Sequence, residues 1–264
     1  METPLVMGII NATPDSFYRG DLGGGRDGIL SLAVKMISEG ADILDIGGQS
    51  TRPGSTPLTA EEEMKRLIPV IQMIAEKLPD MIISADTFHS EVAIAAVDAG
   101  ATIINDISGG EADAAMITTV AALGTPYICM HMKGTPQTMR EFSVYKNVTQ
   151  EVLDHFILKV DQCKAAGIND VIIDPGFGFA KTPAQNFRLL KDLPVFGMLE
   201  TPILVGLSRK STVYKTLNIP VENALNGTTV LNTLALNNGA SILRVHDVKE
   251  AKEAITLYRH YNGN

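Results

Sequence analysis

Polar side chains that could bind or transform a small molecule follow one short apolar run after another along this 264-residue chain. In chain order they are Asn11, Asp45, Asp86, Asn105 with Asp106, His131, Asp174, Ser208 with Arg209 and Lys210, and Arg244 with His246. Turn-forming residues such as Pro4, Pro126 and Gly239 precede the same runs. Because only one end of each run carries this chemistry, the set predicts a single site where parallel strands end.

The acidic members of the set leave three chemistries open: metal binding, acid–base catalysis and recognition of a nitrogen-rich heterocycle. They are Asp45, Asp86 and Asp174. A zinc-type site would need ligands at metal spacing, and the segments around His131 and His246 supply one histidine each. A carboxylate accepts two parallel N–H bonds from a flat, amidine-like edge. We therefore favour a heterocycle pocket near Asn105 and Lys210.

The basic members of the set predict a second pocket for an anion. They are Arg209, Lys210, Arg244 and His246, joined by Arg52 from the segment that follows the second run, and they provide cationic donors of the kind that bind phosphate. Asn11 could place a Mg²⁺ ion, which prefers oxygen ligands and substrate phosphates. The sequence thus predicts a heterocycle pocket beside a phosphate or pyrophosphate pocket, with Mg²⁺ as the cofactor.

The elements that position these residues alternate regularly. Short β-branched runs and longer helical patterns form eight strand–helix units, or 264/8 = 33 residues per unit. This pattern predicts an α/β protein, a single-domain (β/α)8 TIM barrel over residues 1–264. An open doubly wound sheet is the alternative. The helical patterns include Ala112–Leu123 and Val221–Asn238, and Thr59 and Thr182 are expected N-cap residues.

Two segments between predicted strands and helices are unusually long. Residues 12–25 and 47–59 exceed the about 2–6 residues typical of such connections, and both contain several glycines. Long loops at this edge of a barrel are usually binding loops or lids. We expect both to close over the site.

The composition excludes several classes of protein. Apolar residues make up 45% and charged residues 20%, which is ordinary for a globular protein, and the net charge of −8 argues against a nucleic-acid partner. Every long apolar stretch is interrupted, so we expect no membrane span. Cys129 and Cys163 lie in no paired spacing. They predict reduced thiols in a cytoplasmic protein.

Eight segments, in this order, carry a resemblance to a known family. They are Met7–Phe17, Asp45–Gly54, Ser84–Thr87, Asn105–Gly110, Met130–Gly134, Asp174–Phe179, Gly206–Ser211 and Arg244–Asp247. Over essentially the whole chain, the sequence resembles the dihydropteroate synthase family of the pterin-binding TIM-barrel group. One departure is Gln49, which stands where the family more often has Glu.

The resemblance implies an activity in folate biosynthesis. Members condense 6-hydroxymethyl-7,8-dihydropterin pyrophosphate with p-aminobenzoate, giving 7,8-dihydropteroate and pyrophosphate by an SN1-like displacement. The small-molecule substrates are accompanied by Mg²⁺, and the family is usually homodimeric. Two alternatives remain open: a pterin-binding methyltransferase that moves a methyl group from methyltetrahydrofolate to a corrinoid, and a non-catalytic pterin binder.

The resemblance also implies a role for individual residues. The implied catalytic residues are Asp86, Lys210, Asp174 and Arg244. The implied pterin contacts are Asp86, Asn105, Met130, Asp174, Gly206, Lys210 and Arg244. The implied p-aminobenzoate contacts are Thr51, Arg52, Pro53, Phe179 and Ser211. The implied pyrophosphate contacts are Asn11, Arg244 and His246, with Asn11 also as the Mg²⁺ ligand.

Overall fold

The computed structural model describes residues 3–12, 25–50, 55–139 and 141–263, and in these ranges eight strands alternate with nine α-helices. The strands are β1 (Leu5–Asn11), β2 (Ile43–Gly47), β3 (Ile82–Asp86), β4 (Ile103–Asp106), β5 (Tyr127–Met130), β6 (Val171–Asp174), β7 (Leu204–Val205) and β8 (Ile242–Val245). The helices are α1 (Arg26–Ser38), α2 (Ala60–Lys77), α3 (Ser90–Asp98), α4 (Met116–Leu123), α5 (Val148–Ala166), α6 (Pro183–Lys191), α7 (Ser211–Leu217), α8 (Leu225–Asn237) and α9 (Val248–Tyr261).

The eight strands form one parallel sheet that closes on itself. Their spatial order is β6-β5-β4-β3-β2-β1-β8-β7. The two ends of this order meet at a parallel bridge between Ile173 and Ile203, where the Ile173 amide donates to the Pro202 carbonyl at 3.0 Å. The predicted (β/α)8 TIM barrel is therefore confirmed, and the open doubly wound sheet is wrong.

Apolar side chains fill two separate regions of the barrel. The inner cluster contributes one residue from each of seven strands: Met7, Ile43, Ile103, Ile128, Ile172, Leu204 and Ile242. A larger cluster occupies the space between the outward strand faces and the helices, and contains residues such as Leu44, Ile71 and Phe156. Successive side chains of a strand point to opposite faces. Every strand thus buries both faces, as expected for a parallel barrel.

Two predicted N-cap residues, Thr59 and Thr182, are confirmed, and the predicted start of one helix is wrong. The Thr59 hydroxyl accepts from the Glu62 amide and the Glu62 carboxylate accepts from the Thr59 amide, and Thr182 makes the same box with Gln185. Helix α4 begins at Met116 rather than at the expected Ala112. The Asp113 carboxylate accepts from the Ala115 amide at 2.9 Å, and such a local bond stabilises a turn in place of the helix.

The region predicted as one helix over Val221–Asn238 is divided in two. A single 3₁₀ turn covers Val221–Asn223, and α8 begins at Leu225. Within the described part of the chain, none of the helices combines the length and apolar character needed to cross a membrane.

Candidate active site

Along several strands, the side chains that face the barrel interior change from apolar to polar between one inward-facing residue and the next. In β2, Ile43 belongs to the inner apolar cluster, and Asp45 lies two residues further along on the same side. Strands β4 and β8 repeat this step with Asn105 and Arg244. Residues two apart share a face of a strand. These strands therefore deliver a layer of polar groups to the carboxyl-terminal mouth of the barrel.

Asp45 is the centre of a hydrogen-bond network in this layer. Its Oδ1 accepts from the Ser84 hydroxyl at 2.6 Å, and the Asn105 side-chain amide donates to its two oxygens at 3.1 and 3.3 Å. The Nε and Nη2 atoms of Arg244 both lie 2.6 Å from Asp45 Oδ2. Asp45, which is fully buried, therefore fixes an amide from β4 and a guanidinium from β8.

Asp86 shares the same guanidinium. Its Oδ2 lies 2.8 Å from Arg244 Nη2, so one cation contacts two carboxylates. Burial raises the pKa of Asp86, and the positive charge of Arg244 opposes this increase. The two carboxylates keep the pKa of Arg244 above its usual value despite burial. The group thus carries an excess of negative charge at the mouth whenever Asp86 is ionised.

Lys210 and Asp174 form a second charged group at the mouth, with Lys210 close to Arg244. The Lys210 ammonium donates to the Phe177 carbonyl at 2.5 Å and lies 4.6 Å from the centre of the Phe179 ring. Burial lowers the pKa of Lys210 to about 8, and the negative charge of Asp174 opposes the decrease. Burial raises the pKa of Asp174, and Lys210 opposes that increase. Each residue therefore stabilises the charged form of the other.

His246 contacts Ser208 through both its ring and its backbone amide. The Ser208 hydroxyl oxygen accepts from the His246 backbone amide at 3.1 Å and lies 3.0 Å from His246 Nδ1. A hydroxyl can accept one bond and donate another, and the tautomer in which Ser208 donates to Nδ1 carries the imidazole proton on Nε2. Burial lowers the pKa of His246 to about 4, and Arg244 adds to the effect. At neutral pH this side chain is a neutral N–H donor, not the cationic donor expected from the sequence.

Most other predicted site residues also lie at the mouth. Asn11 is exposed at the end of β1, Met130 is buried at the end of β5, Gly206 directly follows β7, and Ser211 is the first residue of α7. Thr51, Arg52 and Pro53, predicted to contact p-aminobenzoate, lie outside the described residues.

Arg209 does not belong to the predicted cationic pocket. Its Nε and Nη2 donate to the two oxygens of Asp247 at 2.9 and 2.8 Å, and its Nη1 donates to the Glu222 carbonyl at 3.1 Å. This bidentate pair joins the loop after β7 to the segment after β8. The charge of Arg209 is therefore already paired within the protein, a contact that strand-end position alone does not reveal.

Two buried polar side chains, Gln49 and Glu63, join the described residues on either side of the β2–α2 connection, and Glu63 was not predicted from sequence. The Gln49 amide donates to Glu63 at 3.3 Å and accepts from the Leu58 amide at 3.3 Å. Glu63 is fully buried, and burial raises its pKa to about 8. The departure at Gln49 thus gives Glu63 a neutral partner in place of a second carboxylate. A signal for Glu63 was available, because it lies four residues before Leu67 on the buried face of α2.

Two residues of the site, Ser84 and Lys181, were not assigned to it from sequence. Asp45 was recognised only as a strand-end carboxylate, and Ser84 could have been found because it precedes Asp86 by two residues on the same strand face. Lys181, which is buried below the Phe179 loop, gave no signal in the sequence. It directly precedes an expected N-cap residue and resembles an ordinary surface lysine.

Comparison with known proteins agrees with this architecture. The family described as "Pterin binding enzyme" matches residues 7–246. The chain is 42% identical to dihydropteroate synthase of Escherichia coli K12, over 96% of this chain and 90% of that protein. It is also 42% identical to the folic acid synthesis protein fol1 of Schizosaccharomyces pombe, covering 96% of this chain but 36% of that longer protein.

A solved structure extends the similarity to three dimensions. Xanthomonas albilineans dihydropteroate synthase with 4-aminobenzoic acid superposes with a TM-score of 0.92 at 38% identity, covering 99% of this chain and 94% of that one. The folds therefore agree over the whole barrel as well as in sequence. The chain belongs to the dihydropteroate synthase family of pterin-binding enzymes.

Proposed function

We propose that this protein joins 6-hydroxymethyl-7,8-dihydropterin pyrophosphate to p-aminobenzoate and releases pyrophosphate. The bond between the pterin methylene carbon and the pyrophosphate oxygen breaks first, and pyrophosphate leaves with the electron pair. The amine nitrogen of p-aminobenzoate then forms a bond to the methylene carbon and loses a proton to water. The products are 7,8-dihydropteroate and pyrophosphate.

Asp174, Asn105 and Lys210 are proposed to bind the pterin ring. An ionised Asp174 can accept two parallel N–H bonds from the amidine-like edge of the ring. The Asn105 amide nitrogen is turned toward Asp45, so its carbonyl oxygen lies on the opposite side of the amide group, where it can accept a further N–H. Lys210 can donate to a ring oxygen or nitrogen from beside Asp174. Met130, buried at the end of β5, supplies an apolar packing surface, and Gly206 leaves room beside Lys210.

Asp86 is proposed to stabilise the cation that forms when pyrophosphate leaves. The departure leaves positive charge delocalised over the methylene carbon and the pterin. A carboxylate fixed in advance inside a barrel stabilises such charge more strongly than water does, because it need not reorient during the reaction. The contact with Arg244 fixes Asp86 in this position.

Arg244 and His246 are proposed to bind the departing pyrophosphate. Arg244 contributes positive charge, and His246 contributes a neutral Nε2–H donor whose orientation is set by Ser208. The described residues contain no group of three His, Cys, Asp or Glu side chains that could hold a metal on their own. The exposed Asn11 amide instead fits a Mg²⁺ ion that is held mainly by pyrophosphate and water. Bound there, Mg²⁺ would neutralise charge on the leaving group.

Phe179 and Ser211 are proposed to contact p-aminobenzoate, together with Thr51, Arg52 and Pro53. The Phe179 ring lies beside Lys210, so the second pocket adjoins the pterin pocket. An aromatic amine is already a competent nucleophile, and the site therefore needs no strong base. Exclusion of water matters more, since water would trap the pterin cation.

The observation that carries this proposal is the pair of charged groups at one mouth, Asp45–Arg244–Asp86 and Asp174–Lys210. The test is incubation of the purified protein with the pterin pyrophosphate, p-aminobenzoate and Mg²⁺, with pyrophosphate release as the readout. Release that depends on both substrates is expected. Methyl transfer from methyltetrahydrofolate to a corrinoid would support the alternative enzyme, and pterin binding without any turnover would support a non-catalytic binder.

We also propose that the protein is a cytoplasmic homodimer without nucleic-acid or membrane partners. The dimer follows from the family, and the free, buried state of Cys129 and Cys163 is compatible with a reducing compartment. Light scattering at micromolar concentration tests the assembly. A monomer under these conditions would contradict the proposed dimer.

A further inference from the structure

A lysine that the proposed reaction does not use is buried between two loops at the mouth of the barrel. Lys181 is 7% exposed and directly precedes the N-cap residue of α6. Its ammonium nitrogen lies within hydrogen-bond distance of four acceptors: His131 Nδ1 at 3.0 Å, Gly176 O at 3.0 Å, Phe179 O at 3.1 Å and His131 O at 3.4 Å. Two acceptors belong to the residue after β5 and two to the loop after β6. One side chain therefore joins the two loops.

The backbone around Lys181 is shaped for this contact. Gly176 has φ 70°, and a Cβ at this position would lie 2.0 Å from the His131 carbonyl oxygen, so only glycine permits this approach. Ala180 has φ 47°, a left-handed conformation that costs about 1–2 kcal/mol for a residue other than glycine. Strain of this kind persists only where surrounding contacts oppose it. Here the turn at Ala180 brings the Lys181 side chain back to the Phe179 and Gly176 carbonyls.

The loop that Lys181 holds also carries contacts of the site. Its first residues are fixed by Asp174, whose Oδ1 accepts from the Gly176 amide at 2.8 Å. The next residues provide the Phe177 carbonyl that accepts from Lys210 and the Phe179 ring beside the same ammonium. A displacement of this loop would therefore move Lys210, proposed to bind the pterin, and Phe179, proposed to bind p-aminobenzoate.

We propose that Lys181 is a positioning residue that fixes the β6–α6 loop against the end of β5, and so sets the geometry of both substrate pockets. This inference rests on the proposed function for its kinetic consequences, but the contact itself does not.

The electrostatics of the surroundings agree with this role. Burial lowers the pKa of Lys181 to about 7, the negative charge of Asp174 opposes this decrease, and Lys210 and Lys133 add to it. Burial also lowers the pKa of His131, and the Lys181 charge contributes. His131 therefore stays neutral at neutral pH, and in the tautomer with its proton on Nε2 its Nδ1 accepts from Lys181.

The kinetic experiment compares three variants with the wild type. Lys181→Met keeps an unbranched side chain of similar length and removes its donors. Lys181→Arg keeps a positive charge, and Lys191→Met removes an exposed lysine from the last turn of α6. We expect Lys181→Met to raise the KM for both substrates about tenfold to a hundredfold, because small misplacements of binding groups have effects of this size. The KM values of Lys181→Arg should be at least about threefold lower than those of Lys181→Met, and those of Lys191→Met should match the wild type.

The constants are measured at a temperature where urea unfolding shows each variant to be fully folded. Wild-type KM values in folded Lys181→Met would overturn the proposal, as would a loss that Lys181→Arg does not reduce. If Lys181→Met does not fold, Lys181→Gln, which retains an amide donor, replaces it. Failure of both to fold would assign Lys181 a purely structural role and overturn the proposal.

Hydrogen exchange separates this inference from the proposed function. In Lys181→Met, or in Lys181→Gln where it replaces that variant, residues 131–133 and 175–180 should exchange faster than in the wild type, with the strands unchanged. Unchanged exchange in both loops would overturn the inference, whatever the wild-type activity. A wild type that releases no pyrophosphate, with faster loop exchange in the variant, would refute the proposed function alone.

Discussion

The interior of the barrel contains an apolar layer and a charged layer that are built on the same strands. Ile242 in β8 belongs to the apolar layer and Arg244, two residues later, to the charged one. Full burial of an aliphatic side chain contributes about 1.5–3 kcal/mol to stability. A buried ion pair contributes little net stability, because desolvation offsets the attraction between charges. The comparison indicates that the apolar layer stabilises the barrel and the charged layer serves its chemistry.

The largest effect is expected where the charged layer loses its shared cation. Arg244→Met leaves Asp45 and Asp86 buried without their partner, and removing one member of a buried ion pair costs about 3–5 kcal/mol. The rate of pyrophosphate release should fall at least about a hundredfold, as when a preorganised charge contact is lost. Urea unfolding and a steady-state assay measure the two effects.

The matched control for Arg244 is Arg188→Met. Arg188 pairs with Asp192 at i and i+4 of one helical stretch, and the Arg188 side chain is 63% exposed. Exposed pairs contribute at most about 1 kcal/mol, and this one lies outside the proposed site. Activity near the wild-type level in Arg244→Met would contradict the assignment of the charged layer to catalysis.

A smaller effect is expected from the second charged group. Asp174→Asn and Lys210→Ala should each lower kcat/KM at least about tenfold, since each removes one charge-assisted contact with the pterin. Asp161→Asn and Lys164→Ala, both exposed on α5, are the controls. Near-normal kcat/KM in both site variants would place the pterin elsewhere.

The sequence predicted the place of the charged layer better than it predicted the contacts within that layer. The alternation of strands and helices predicts a barrel, and the position at or directly after a strand end places Asp86, Asp174 and His246 at its mouth. Whether a given charge is free or already paired depends on residues distant in sequence: Arg244 meets Asp45 across 199 positions, and Arg209 meets Asp247 across 38. No local pattern reports these pairings.

The burial of Lys181 was even harder to predict from the local sequence. Its burial depends on the left-handed turn at Ala180 and on the close approach of Gly176 to His131. The first is a conformation that alanine rarely adopts, so residue type gives no indication of it. The burial of Glu63, in contrast, could have been predicted, because this carboxylate lies on the apolar face of an amphipathic helix.

The pH profile of kcat/KM should show how the charged layer titrates. Burial lowers the pKa of Lys210 to about 8, so its proton is lost and activity falls as the pH rises through that value. Burial raises the pKa values of Asp86 and Asp174, so activity also falls as the pH decreases and these groups gain protons. The expected profile is bell-shaped.

The alkaline limb can be tested by one substitution. Lys210→Arg stays protonated throughout the range, so it should abolish the decline above about pH 8, even if its maximal kcat/KM is lower. Lys215→Arg, on α7 outside the charged layer, should keep the wild-type profile. An alkaline limb that persists in Lys210→Arg would mean that another group titrates there.

The smallest effect on activity is expected in the apolar layer, where the effect on stability is nevertheless large. Ile128 is fully buried in the inner cluster on β5, two residues before Met130. Ile128→Ala should lower the free energy of unfolding by about 2–5 kcal/mol, because it removes buried methylene groups and leaves a cavity. Val144→Ala, at a side chain 78% exposed, should have little effect on stability or activity.

The kcat/KM of folded Ile128→Ala should stay within about threefold of the wild type, since Asp45, Ser84 and Asn105 hold the charged layer by hydrogen bonds among themselves. A larger loss of activity in the folded variant would show that the apolar layer also sets the position of the charged groups, and the division between the layers would then be wrong.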